Sequence, residues 1–210
     1  MDWDTTKMFR DLQYLSGQVL ATNNRTLALD KSKIIDRICT TENHIDSLIH
    51  ERIERVDVNN HHRDFAFLVL LHGNPIPVRS CAISGSIFIY LFLRRIPILS
   101  PVFDWMVGLM QQDFERTEAS ILATYRPEII FWMLYIAGLA SLGRRQRLWF
   151  RGKLARCRMV LKLNCWREAK NILEKLAWAE TLGESSGKAL WQELDGSALP
   201  KLLSPTPNGI

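Results

Sequence analysis

The apolar residues of this chain recur at the helical period almost everywhere and at the alternation of a half-buried strand almost nowhere, which confines it to an all-α fold. Met8, Leu12, Leu15 and Val19 form one stripe behind Asp4, Thr5 and Thr6, residues suited to capping a helix start. Ile34, Ile38, Ile45, Leu48, Ile49 and Ile53 form a longer one, and both predict surface helices that are apolar on one side. Phe65 to Leu71 is a short apolar run stopped by His72-Gly73-Asn74-Pro75; its pattern fits helix or strand, and its surroundings favour helix. Cys81 to Leu93 is apolar over 13 residues between Arg79 and Arg94-Arg95. A bilayer span needs about 20, so this run predicts a buried core helix with Pro77 in its first turn, and no membrane contact.

Ser100-Pro101 reads as N-cap and first residue of a helix that buries Val102, Trp105, Met106, Leu109, Met110 and Phe114. The steric restriction before proline breaks the chain at Arg126-Pro127, ahead of an apolar helix from Glu128 to Leu142 that Gly143 terminates. A basic helix then spans Arg144 to Leu163. Cys165-Trp166-Arg167-Glu168 has the form of a capping box with a thiol in place of the hydroxyl, and its helix runs to about Trp178. A Gly/Ser-rich turn, Gly183 to Gly187, separates this from a short last helix with Leu190, Trp191 and Leu194. The expectation is about eight helices in an irregular multi-helix bundle, one domain over 1–195, with Pro200, Pro205 and Pro207 marking 196–210 as a flexible tail. With 210 residues, 47% hydrophobic and 23% charged, one such domain has the composition for a core.

Chemistry-bearing motifs are sparse. Cys39, Cys81, Cys157 and Cys165 include no C-x-x-C pair, which argues against a disulfide scaffold or zinc ribbon and fits a reducing compartment. Met1-Asp2-Trp3-Asp4 is acidic where a secretory signal would be basic, so the mature chain is expected to start there. Gly183-Glu184-Ser185-Ser186-Gly187 matches the G-x-S-x-G nucleophile elbow, but a helical segment stands where the elbow needs a strand, so the reading is a turn whose Ser185 or Ser186 caps the last helix. His44 and His50 do not share a helix face, and Asn59 to Asp64 reads as a solvated loop. Asp46, Glu51 and Glu54 interleave with Arg52 and Arg55 as surface pairs, and neither a D-D-x-x-D run nor a glycine-rich phosphate loop occurs. These readings predict no enzyme, no cofactor and no bound metal.

Charge is concentrated instead. Arg144 to Lys175 holds eleven Lys/Arg against Glu168 and Glu174, although the whole chain carries only +5. Arg144, Arg145, Arg147, Arg151, Lys153, Arg156, Arg158 and Lys162 are the candidate contacts for nucleic acid or an acidic partner. Against that, Leu148, Leu154 and Leu161, with Phe150 and Val160, give the helix an apolar side, so the cations read first as its solvated face. Trp132, Trp149, Trp166, Trp178 and Trp191 fall one to each element or junction and are the expected core anchors.

The run Pro127-Glu128-Ile129-Ile130-Phe131-Trp132, then Ile136-Ala137-Gly138-Leu139-Ala140, then Arg147-Leu148-Trp149-Phe150 and Lys153-Leu154 resembles the C-terminal part of the fungal-specific transcription factor domain. Cys165-Trp166-Arg167-Glu168, Leu173 to Trp178 and Ala189-Leu190-Trp191 resemble that family's later helix start and tryptophans, and Ile89 to Arg94 with Pro97 and Ser100-Pro101 its upstream apolar helix and loop. The resemblance is clearest over 80–194. It implies a nuclear, non-enzymatic helical regulatory domain that acts through protein partners, as a homodimer or with other transcription regulators. Family members usually carry a six-cysteine zinc cluster that binds DNA. Four scattered cysteines cannot hold two zincs, so this chain alone is expected not to bind DNA specifically, either as a fragment or as a regulator that does not read DNA. The alternatives are an all-α nucleic-acid-binding module using the 144–162 helix and an all-α enzyme of unknown chemistry.

Overall fold

A computed structural model describes residues 3–23, 31–57 and 75–195, and every regular element among them is helical. The expected helix at Phe65–Leu71, the polar run 59–64 and the 196–210 tail lie outside the described residues. In chain order the elements are α1 (Trp3–Asn23), α2 (Lys31–Asp57), α3 (Pro75–Phe88) with a π-helical continuation (Ile89–Leu93), and α4 (Val102–Thr124). Then come α5 (Pro127–Ala140), α6 (Arg147–Val160), α7 (Trp166–Leu176) and α8 (Glu180–Asp195). The all-α multi-helix fold read from the periodicity is the fold observed.

α5 is the axis of the molecule. It is apolar all round, and every residue from Ile129 to Ala140 is buried, as such a helix must be. Arg126 is extended and Pro127 opens the first turn, so the break expected before the proline is present. α3, α4, α6, α7 and α8 all pack on α5. α1 and α2 close the far side of α3, burying Met8, Leu12 and Leu15 from one and Ile38, Ile45, Leu48 and Ile49 from the other. Between α3 and α4 the buried Asp113 carboxylate accepts hydrogen bonds from Arg79, one of them at 2.9 Å, which neutralises a charge that burial alone would make costly.

The structure corrects several local readings. Asp4 to Thr6 lie inside α1, with Thr5 buried, and do not flank it as caps. Trp105 is not a core residue: it is 57% exposed on the first turn of α4. α4 also starts one residue later than expected, with Pro101 rather than Ser100 at the N-cap. α5 stops at Ala140, and Gly143, at φ 75°, sits in the following turn, a conformation a Cβ would disfavour.

The basic helix is shorter than expected at both ends. Arg144 and Arg145 belong to the preceding turn, and Lys162 takes the left-handed conformation (φ 53°) just past its end. There the Leu163 N–H donates to Arg158 O at 3.0 Å and the Lys162 N–H to Met159 O at 3.2 Å, the pairing that closes a helix, achieved without glycine.

At α7 the thiol makes no cap: Cys165 is the N-cap residue, but Glu168 accepts from the Asn164 N–H at 2.7 Å, so only the carboxylate half of the box operates, one residue early. Nor is 183–187 a turn. Both glycines lie within α8, and the Trp178 and Trp166 rings occupy the space that side chains there would need. A Cβ on Gly183 would come within 2.7 Å of Trp178 Cζ2, and one on Gly187 within 2.7 Å of Trp166 Cη2. Ser185 and Ser186 are exposed on the same helix and cap nothing, so neither the elbow nor the turn stands.

Candidate interaction surface on the basic segment

The basic segment is held by two devices, apolar packing below and guanidinium contacts at its sides. Phe150 and Leu154 are fully buried against Gly138 of α5, where a Cβ would approach Leu154 Cδ1 and Leu190 Cδ2 to 3.1 Å. Cys157 and Leu161 continue that stripe at helical spacing and pack against the core. Burial, with Glu118 adding to it, pushes the Cys157 thiol up to about 11.

Five of the eight candidate cations are engaged with protein groups. Arg144, its side chain only 6% exposed, donates to Ile98 O, Ala140 O and Ser100 O, each at 2.8 Å, and pairs with Asp104. It thereby ties the 96–101 loop and the start of α4 to the end of α5. Arg147, 13% exposed, forms a fork on the Glu193 carboxylate of α8 (2.6 and 3.1 Å) and also donates to Gly138 O. Arg151 donates to Glu193 O at 2.8 Å. Lys153 reaches both oxygens of Glu118 on α4 at 2.7 Å and lies over the Trp149 ring. Arg158 donates to Leu163 O at 3.0 Å and covers the buried Trp191 ring at 4.5 Å. Arg145, Arg156 and Lys162 are exposed, with no ion pair among the described residues.

The tryptophans occupy the other side of the same joint. Trp132 is fully buried and its indole donates to Ala177 O at 2.7 Å, so the end of α7 is fixed to α5. Trp178 packs edge-on against Phe92 (5.6 Å), Trp166 (5.9 Å) and Tyr135 (6.3 Å). Tyr135 donates to Gly187 O at 2.6 Å, and its burial raises the phenol pKa. Trp166 is half-buried and donates to Glu184 at 2.9 Å, a bond that holds this carboxyl below its ordinary range, with Lys170 assisting. Trp149 is also half-buried, set edge-on between Phe114 and Phe150.

The apolar side expected for the basic helix is only partly the buried one. Leu154, Phe150 and Leu161 face inward, whereas Leu148 and Val160, assigned to the same side from sequence, are 74% and 68% exposed. Leu148, Gly152, Ala155 and Met159 form a second stripe with the same helical spacing as the first, diametrically opposite to it. Met159 is 70% exposed, and nothing lies within 4 Å of a Cβ built on Gly152. The sequence contained this signal as two equivalent apolar rows, one of which had to face solvent.

No group of His, Cys, Asp or Glu among the described residues could hold a metal ion, and no described helix is long and apolar enough to cross a membrane. No family model, no curated protein and no solved structure matches the chain.

Proposed function

We propose that this chain is a non-enzymatic regulatory domain of the fungal-specific transcription factor kind, acting in the nucleus through protein partners and not by reading DNA itself. The observation that carries the reading is the fate of the basic segment. Arg144, Arg147, Arg151, Lys153 and Arg158 are engaged with carbonyls, carboxylates and an aromatic ring of the protein's own helices. A nucleic-acid module would keep such cations for phosphates. Here they join α5, α6 and α8, three of the elements that bear the family resemblance, to one another and to α4, while Leu148 and Met159 on the outer side of α6 stay exposed. A surface of that composition suits a protein partner.

The test is to fuse the chain to an unrelated DNA-binding domain and measure a reporter downstream of that domain's site in yeast. The fusion is expected to change reporter output several-fold relative to the DNA-binding domain alone. Unchanged output from a fusion present in the nucleus at equal abundance would overturn the reading.

A further inference from the structure

We infer that the outer face of α6 is a docking groove for an acidic amphipathic helix of a partner protein. The proposal rests on the regulatory reading above and specifies its partner.

The groove has a defined shape. Leu148 and Met159 stand at its ends, about 16 Å apart along the axis. Gly152 and Ala155 lower its middle, and nothing lies within 4 Å of a Cβ at Gly152, so a partner helix can approach the backbone closely. Two large apolar side chains 74% and 70% exposed on one helix face leave apolar area in water that a partner would cover.

Charge identifies the occupant. Within α6, Arg147 and Arg151 are paired with Glu193, Lys153 with Glu118, and Arg158 covers Trp191, which leaves Arg156 as the helix's exposed cation without an ion pair among the described residues. Arg156 flanks the stripe, Arg145 lies in the turn just before the helix, and both are exposed without an ion pair among the described residues. A second copy docked through the same face would set cations against cations. In either register the exposed Arg156 of one copy would face a flank of the other α6 that carries arginine and no acidic residue of that helix. Like-charge apposition of this kind opposes association. A nucleic-acid backbone would satisfy the cations but offers nothing to Leu148 and Met159. A helix with apolar residues on one face and Asp or Glu on its flanks satisfies both.

The experiment measures fluorescence anisotropy of a labelled peptide of about 18 residues, about five helical turns, with Leu and Phe at i, i+3, i+4 and i+7 and Glu elsewhere. It is titrated with the full chain, and a scrambled peptide of the same composition is the control. Saturable binding of the patterned peptide alone is expected, weakened about tenfold or more by Leu148→Ser with Met159→Ser, and about tenfold by Arg145→Glu with Arg156→Glu. All four positions are exposed, so the thermal midpoint of each variant should match the parent.

The proposal is overturned if neither peptide binds, or if both bind alike. It is overturned equally if binding ignores the Leu148 and Met159 changes and single-stranded DNA competes, or if the chain elutes as a dimer that those changes dissociate. The reporter fusion separates the two readings. Regulation that persists in the doubly serine-substituted chain defeats the groove and leaves the regulatory reading standing. α6-dependent peptide binding by a chain silent in the reporter defeats the regulatory reading and leaves the groove standing.

Discussion

α5 and α6 are adjacent helices of 14 residues each, held in place by opposite physics. From Ile129 onward α5 loses every side chain to the core. α6 buries only Phe150 and Leu154 completely and is otherwise gripped along its sides by Glu193 and Glu118. A helix that is apolar all round has a single solution, to be swallowed. One with two weak apolar rows and cations between them has several, and long-range partners choose among them. A count of positive charges therefore measures a surface only after the acids from elsewhere in the fold have been placed.

The contrast is sharpest at Trp132. Trp132→Ala should cost about 3–5 kcal/mol, since it empties a fully buried site and orphans Ala177 O. Urea unfolding measures this, and a midpoint equal to the parent's would place the indole outside the core.

Two arginines two residues apart provide the next test. Arg147→Ala removes the fork on Glu193 and one of the hydrogen bonds to Gly138 O and should cost about 1.5–3 kcal/mol, the range for bonds to charged groups, whereas Arg145→Ala should stay within about 0.5 kcal/mol. Equal losses would mean that the segment is an undifferentiated charged face.

A pair of glycines gives effects of opposite sign. Gly187→Ala drives a methyl into the Trp166 and Trp178 rings and should destabilise by about 1–3 kcal/mol. Gly152→Ala enters open space in a helix and should stabilise by about 0.8–1.0 kcal/mol. Stabilisation by both would show that 183–187 is not packed as described.

The smallest effect concerns thiols. Cys157 lies on the inward row with its thiolate disfavoured by burial, while Cys39 is exposed. At pH 8, well below the value near 11 to which Cys157 is pushed, an alkylating reagent followed by mass spectrometry should modify Cys39 first and Cys157 slowly. Faster labelling of Cys157 would mean that the two rows of α6 have been exchanged.

How much of this the sequence disclosed depends on whether an element's fate was local. α5 was legible because Pro127 and an unbroken apolar run leave one outcome. Helix identity was legible elsewhere for the same reason, since periodicity is a property of neighbours along the chain. Gly183 and Gly187 misled because the reason for them is not in the local sequence: a glycine that admits a tryptophan ring looks like one that makes a turn. Leu148 and Leu154 were indistinguishable by type, and only the approach of Gly138 and Leu190 decides which faces inward. The candidate site suffered most, because Glu193 and Glu118 lie 46 and 35 residues from the cations they hold, a distance no local pattern encodes. The π-helical stretch Ile89–Leu93 had no counterpart in the apolar pattern at all.

The basic segment grips its own fold and leaves Arg145, Arg156 and Lys162 as its unengaged cations among the described residues. The salt dependence of non-specific duplex DNA binding counts available cations directly, because each phosphate neutralised contributes about −0.9 to the slope of log affinity against log salt. With three cations free the segment should give a slope no steeper than about −3, which Arg145→Glu with Arg156→Glu should reduce further. A slope near −7, the value for all eight cations on phosphates, would contradict the account.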